Sequence, residues 1–374
     1  MKIGITCYPT YGGSGVLATE LGKELALRGH EVHFISYALP FRLNHFVENI
    51  YFHEVEISTY PLFEFPLYGL ALTSKMVEVA TYEKLDLLHV HYAIPHATSA
   101  YMAKQILAGK KDLKFITTLH GTDITLVGLE PSFVHLVKFS IEQSDGVTAV
   151  SRHLKEKTET AYNINKDIRV IHNFVDTEIY KRIEDAPLRK HFAPNGEKVI
   201  VHTSNFRQVK RVADTIRIMK EIENSVNARL VLVGDGPERS ECERLARELG
   251  LQNKVLFLGK QDALVEILSA SDLFLIPSQS ESFGLAALEA MACGLPVISS
   301  SVGGLPELVR HNETGYIAEI GDISRMSKYT VELLTNEKKY SQFALNARER
   351  SVKNFDKSII VPAYEEYYNE VLKG

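Results

Sequence analysis

Short apolar runs rich in β-branched residues recur along this chain, and segments of helical period separate most of them. The opening sets the pattern. "KIGIT" reads as a strand, "YGGSG" as a loop, "VLATELGKELALRG" as an amphipathic helix stopped by Gly29, and "EVHFIS" as the next strand. "LDLLHVH", "LKFITTL", "DGVTAV" and "DIRVIH" continue the series. Such alternation predicts the α/β class, with mostly parallel sheets covered by helices. The stretch 178–197, "EIYKRIEDAPLRKHFAPNGE", is polar, carries two prolines and reads as a linker. A second series then runs through "KVIVHTS", "ARLVLVG", "KVLFLG", "DLFLIP", "LPVISSS" and "GYIAEI". The expected architecture is therefore two Rossmann-like, doubly wound domains, 1–177 and 198–355. A last helix, about 356–374, packs back on the first.

Composition narrows the functional classes. The 374 residues are 45% hydrophobic and 24% charged, as in an ordinary globular protein. A net charge of −5 with no basic block argues against a nucleic-acid partner. Cys7, Cys242 and Cys293 are odd in number and lack metal-type spacing, which fits a reducing, cytoplasmic setting. "MKIGITCYP" opens directly as a strand rather than as an export signal, and no apolar run reaches membrane-spanning length.

In doubly wound sheets ligands bind beyond the carboxyl ends of the strands, so polar groups at those positions are the candidates. The Gly12–Gly15 loop after the first strand is either an anion cradle or an unliganded tight turn. It is not G-x-G-x-x-G, and the second strand lacks the acidic residue that would take ribose hydroxyls, so hydride transfer is disfavoured. "FITTLHGTD" puts His120 just past a strand, where it either contacts substrate or is satisfied by a loop carbonyl. "HVHYAIPH" offers His89, His91 and His96, but no carboxylate or cysteine nearby completes a metal set. Packing or acceptor contacts around Tyr92 are the preferred reading there. "TSNFRQVKRVAD" gathers Arg207, Lys210 and Arg211 at a strand end, a place that suits phosphate. "VGDGPE" is a further strand-to-helix glycine turn. In "ESFGLAALEAMACG" a helix starts near Phe283–Gly284 in otherwise apolar surroundings. The N–H groups of Phe283, Gly284 and Leu285 would face an anion. Glu281 and Glu289 flank that tip as acceptors matched to vicinal sugar hydroxyls. The pattern describes a site for a nucleoside-diphosphate sugar.

The Glu281/Glu289 pair with its "FGL", together with "GGSG", "HGTD", "VGDGP" and "GGLPELV…NETGYI", resembles the retaining glycosyltransferases of family 4 over essentially the whole chain. That resemblance implies the GT-B fold, with an active-site cleft between an N-terminal acceptor domain and a C-terminal UDP-sugar domain. "SNFRQVKRV" and "YALPFRL" look like members that move N-acetylglucosamine from UDP-GlcNAc to the hydroxyl of L-malate, the first step of bacillithiol biosynthesis. Carried over by position, Glu289 would hold the uridine ribose and Glu281 the transferred sugar. Lys210 and the amides of Phe283, Gly284 and Leu285 would take the diphosphate, and His120 would contact the sugar. Gly13 and Gly15 would bring backbone close to phosphates and acceptor. The family commonly has Arg where this chain has Asn205, and glycine where it has Arg211. Either Arg207 or Arg211 then completes the cationic clamp, or Asn205 hydrogen-bonds donor or acceptor.

His120, Glu281 and Lys210 are the expected catalytic residues. Arg152, Ser14, Tyr92 and Thr122 are the expected malate contacts. No Asp-x-Asp dyad appears, so transfer without metal or other cofactor is expected. A lipid acceptor reached through "STYPLFEFPLYGLAL", a sugar-nucleotide epimerase and a non-catalytic nucleotide-binding module are the alternatives. No stable membrane association is expected, and homo-oligomerisation is left open.

Overall fold

The computed structural model describes residues 1–10, 12–57 and 67–374. Residues 58–66, within the stretch weighed above as a lipid contact, lie outside them. The chain forms two units. One comprises Met1–Asn173 with Ile360–Gly374, the other Phe174–Ile359.

The first unit is built on β1 (Lys2–Thr6), β2 (Glu31–Ser36), β3 (Ile50–Glu54), β4 (Leu87–His91), β5 (Lys114–Leu119), β6 (Gly146–Ala149) and β7 (Arg169–Val170). All pair in parallel, in the order β3-β2-β1-β4-β5-β6-β7. β1, β4 and β5 are buried almost throughout, which is why they read as continuous apolar runs. β3 escapes that reading. It is an edge strand, no residue in it is fully buried, and its sequence "IYFHE" carries only a three-residue apolar run. The helix Gly13–Leu27 lays Leu17, Leu21 and Leu25 against the sheet. Gly22 makes that approach feasible, since a Cβ there would sit 2.4 Å from the Phe34 ring. The helices Tyr68–Tyr82 and Thr98–Leu107 share a core with Ile35, Leu88, Val90 and Phe115.

Residues 360–374 complete this unit from the far end of the chain. Tyr368 bonds its hydroxyl to His89 Nδ1 at 2.7 Å, and Tyr367 accepts the Val147 N–H at 2.9 Å. Gly146 has no room for a side chain, because its Cβ would meet Tyr367 Oη and Val371 Cγ2 at 2.9 Å.

The second unit repeats the plan with β8 (Lys198–Thr203), β9 (Ala228–Val233), β10 (Val255–Gly259), β11 (Leu273–Ile276), β12 (Val297–Ser300) and β13 (Gly315–Ala318). Their order is β10-β9-β8-β11-β12-β13, again all parallel. Val212, Ile216, Met219 and Ile222 form the buried stripe of the helix Val212–Ile222 and pack on Ile200, Leu230 and Leu275.

The stretch 178–197 is packed into this second unit rather than strung out. Arg189 pairs with Asp272 at 2.6 Å and donates to the Ala270 and Glu197 carbonyls, while Ile183 N–H donates to Ser269 Oγ. Arg189 reaches three partners of that unit while most of its charged neighbours stay exposed, so polarity alone misreads the stretch. Among the described residues no helix is long and apolar enough to cross a membrane.

Candidate active site

Each sheet reverses its strand order once, between β1 and β4 in the first unit and between β8 and β11 in the second. Loops leaving the carboxyl ends of those strands diverge there and open a crevice. Most of the sequence-derived candidates stand on such loops.

In the first unit Ser14 and Tyr92 meet, with 2.6 Å between their hydroxyl oxygens. Tyr92 adopts φ 87°, ψ 135°, a region that costs a non-glycine residue on the order of 1–3 kcal/mol. Its N–H bond to the Thr118 carbonyl (2.9 Å) and the contact with Ser14 hold it there. Gly13 is exposed at the start of its helix. Gly15 is buried, and a Cβ on it would lie 2.5 Å from the Tyr8 carbonyl oxygen and 2.7 Å from that of Thr10. Gly15 is therefore demanded by its own loop. Thr122 and Arg152 are exposed at the first positions of the helices after β5 and β6.

His120 belongs to a chain of imidazoles. Its Nε2 lies 2.8 Å from His91 Nδ1, and the two rings stack at 5.0 Å. His96 Nδ1 bonds to the His91 carbonyl. His89 sits between Thr118 Oγ1 and Tyr368, at 2.7 Å from each. Burial pushes His89 and His120 down to about 3 and His96 to about 4, and it holds His91 far below the usual histidine range. All four are neutral at physiological pH. Among the described residues His91 Nε2 is buried without a partner. Each of His89, His91 and His96 thus has at least one bonded partner among these strand-end groups.

Asp123 organises the loop. Its carboxylate accepts N–H bonds from Ala93 (2.9 Å), Gly121 (3.0 Å) and His120 (3.3 Å), while burial raises its pKa to about 6. Its place inside "HGTD" gives no sign that this aspartate ties the β4 and β5 loops together.

In the second unit Lys210 Nζ lies 2.5 Å from Glu281 Oε1, the two side chains being 22% and 12% exposed. Ser278 donates to the same carboxylate oxygen at 3.1 Å, and Ser300 donates to the Ser278 carbonyl. The backbone of Glu281 is held too, its carbonyl accepting the Gly304 N–H at 3.0 Å. A Cβ on Gly303, whose φ is +58°, would fall 1.6 Å from that carbonyl oxygen. A further bond, Gln279 N–H to the Val209 carbonyl at 2.7 Å, ties the Glu281 loop to the Lys210 loop. The "GDG" turn supports the latter loop from behind, because Gly234 and Gly236 leave space for the carbonyls of Ser204 and Asn205.

The helix after Glu281 runs Leu285–Ala292, slightly later than the sequence suggested. Gly284 caps it at φ 99°, ψ 52°, with Leu305 where a Cβ would point. The outward N–H groups are therefore those of Leu285 and the following alanines, while Phe283 buries its ring against Phe355. Glu289 lies on the second turn and is 7% exposed. Arg211, in left-handed backbone at φ 50°, bonds through Nε to buried Asp214 at 2.6 Å. Asn205 and Arg207 are exposed.

An anchored cation and carboxylate beside a helix N-terminus can hold a diphosphate and a polyhydroxylated ring. Known proteins narrow that chemistry. Residues 11–179 match glycosyltransferase family 4, and residues 184–350 match the glycosyl transferases group 1. N-acetyl-α-D-glucosaminyl L-malate synthase of Bacillus anthracis is 50% identical over 374 residues, 100% of this chain and 98% of that protein. An uncharacterized glycosyltransferase of Methanocaldococcus jannaschii is 31% identical over 81% of this chain and 80% of its own. Among solved structures, Anabaena HepE in complex with UDP and glucose superposes with a TM-score of 0.85 at 21% identity, covering 99% of each chain. The strand orders, the two family matches and a relative alike from end to end agree: this chain belongs to the family-4 glycosyltransferases of GT-B fold.

Proposed function

We propose that the chain transfers N-acetylglucosamine from UDP-GlcNAc to the hydroxyl of L-malate, with retention and without a metal, the step that opens bacillithiol biosynthesis. The observation that carries this reading is the full-length 50% identity to the B. anthracis synthase.

The bond from sugar C1 to the β-phosphate oxygen breaks as the malate oxygen approaches from the same face. The malate proton passes to the departing phosphate, so UDP leaves without an enzyme base. Charge therefore builds on the diphosphate. Lys210 engages Glu281 through one contact and has further N–H bonds to give. With the amides at Leu285 it answers the growing charge. A helix N-terminus contributes up to about 2 kcal/mol in partly buried geometries, and a charge-assisted bond about 1.5–3 kcal/mol. Glu281 keeps its second oxygen for the sugar hydroxyls, and Glu289 takes the ribose. His120 is uncharged, so it meets the sugar as a neutral donor or acceptor and does not repel a cationic transition state. Malate, a dianion, is assigned to Arg152, Thr122 and the Ser14–Tyr92 pair. The helix N-termini at Gly13 and Arg152 add favourable polarity there.

Incubation with UDP-GlcNAc, with and without malate and with chelator present throughout, tests the reading. UDP and α-linked GlcNAc-malate are expected only with malate and at an unchanged rate in chelator. Sugar-nucleotide interconversion without malate would instead indicate an epimerase. Transfer to lipid but not to malate would indicate a membrane acceptor.

A further inference from the structure

The first unit carries a second cluster of ligating side chains, remote in the fold from the strand ends just described. His33 on β2 and His53 on β3 lie near Glu83, the C-cap of the helix Tyr68–Tyr82. His33 Nδ1 is 2.9 Å from His53 Nε2, and the ligand atoms of all three side chains lie within 4.8 Å of one another. Strand pairing puts both histidines on one sheet face, since His33 is opposite Tyr51 and Ile35 is opposite His53. The helix covers that face by packing Leu72, Met76 and Val79 around Ile35, which carries Glu83 over the histidines at its far end.

His33 has a fixed tautomer. Its Nε2 lies 3.0 Å from Glu31, a carboxylate that can only accept, and Lys2 anchors that carboxylate at 2.6 Å. The proton is therefore on Nε2, and the lone pair of Nδ1 faces the cluster. A histidine whose second nitrogen is tied to a carboxylate is the usual arrangement around a bound metal. His53 and Glu83 are part-exposed, which leaves an ion a way in and a coordination position for water. The neighbouring ring of Tyr51 stacks on His33 at 5.0 Å and stiffens it.

We propose that His33 Nδ1, His53 Nε2 and the Glu83 carboxylate form a binding site for a divalent transition metal of the zinc type. Two imidazoles and one carboxylate suit zinc, whereas calcium and magnesium demand oxygen ligands. In the metal-free state the His53 Nε2–H donates to His33 Nδ1. Binding moves that proton to His53 Nδ1, so both ligands stay neutral and no net proton is released from them. Bridging β2, β3 and the end of a helix, the ion clamps the exposed edge of the first sheet and takes no part in sugar transfer.

Zinc titrated into tag-free, chelator-stripped protein, against a chromophoric chelator, tests the site. One ion per chain is expected, with His53→Gln and Glu83→Gln each weakening binding by at least about tenfold. Glu31→Gln, which touches no ion, should weaken it by about 10–100-fold by freeing the His33 ring. Glycosyl transfer by Glu83→Gln should equal that of the parent. Absence of stoichiometric binding overturns the proposal. So does zinc binding that survives both His53→Gln and Glu83→Gln, which would place the ion elsewhere. Should His53→Gln fold poorly, Glu83→Gln decides, because it alters a part-exposed helix cap.

Discussion

At the reversal of the first sheet the strand ends present imidazoles, and at the reversal of the second they present an ion pair. His89 and His91 are fully buried and neutral, linked to His120, Thr118 and Tyr368. Lys210 and Glu281 keep part of their surface in water and are steadied by Ser278, Gly303 and Gly304. The difference follows from desolvation. A neutral ring can be wholly enclosed if its nitrogens are bonded, whereas a charge must stay paired and near solvent. In the proposed reaction the division is useful, because charge develops on the diphosphate while the acceptor side must position a hydroxyl.

The largest test of this contrast is Lys210→Ala. Loss of a charge-stabilising donor should lower kcat by about 10²–10³-fold. His120→Asn, which removes a neutral contact, should cost only on the order of tenfold. Equal losses would break the contrast.

Acid gives the next largest effect. His89, His91, His96 and His120 have folded pKa values far below the unfolded value of about 6.5, so the unfolded chain binds more protons as pH falls through that value. The stability they support is full above about pH 6.5 and declines below it. Each histidine accounts for about 1.4 kcal/mol per pH unit. Asp123 acts oppositely, its folded pKa of about 6 exceeding the unfolded value of about 3.9, and it offsets part of one histidine. The second unit has His202, held at about 4 by burial. Hydrogen exchange at about pH 5.5 against 7.5, corrected for intrinsic rates, should show the first unit loosening more. Uniform loosening would remove the distinction.

His91→Phe sharpens the picture at smaller scale. It deletes the partner of His120 without touching substrate, so kcat should fall by about threefold while the KM for UDP-GlcNAc stays within about twofold. The smallest effect belongs to Arg211→Ala. With its guanidinium committed to Asp214, the donor KM should change by less than about twofold. A tenfold rise would mean that Arg211 leaves Asp214 for the donor and shares Lys210's task.

The two sheets were legible because buried parallel strands must be apolar and must be joined through helices. β3 was hidden because its apolar run is only three residues long and no residue in it is fully buried, and the stretch 178–197 misled because Arg189 and its neighbours bond into the second unit. Residue types at the candidate site were also legible, since each follows a strand. Their pairings were not. That Lys210 meets Glu281 depends on two loops some seventy positions apart, brought together by the Gln279–Val209 bond. Nor could spacing disclose that Gly15 serves its own turn, or that Asp123 spans two loops.

Tyr367 and Tyr368 have a consequence for biosynthesis. A ribosome delivers the N-terminal sheet long before the tyrosines that cap it, so His89 and the Val147 backbone must wait through the making of every residue of the other unit. The later-synthesised half can close on itself first, and the earlier half is finished only when the tail emerges. A nascent chain stalled before residue 360 should therefore hold one mature sheet and one unfinished one, with the older of the two still exposed to proteases.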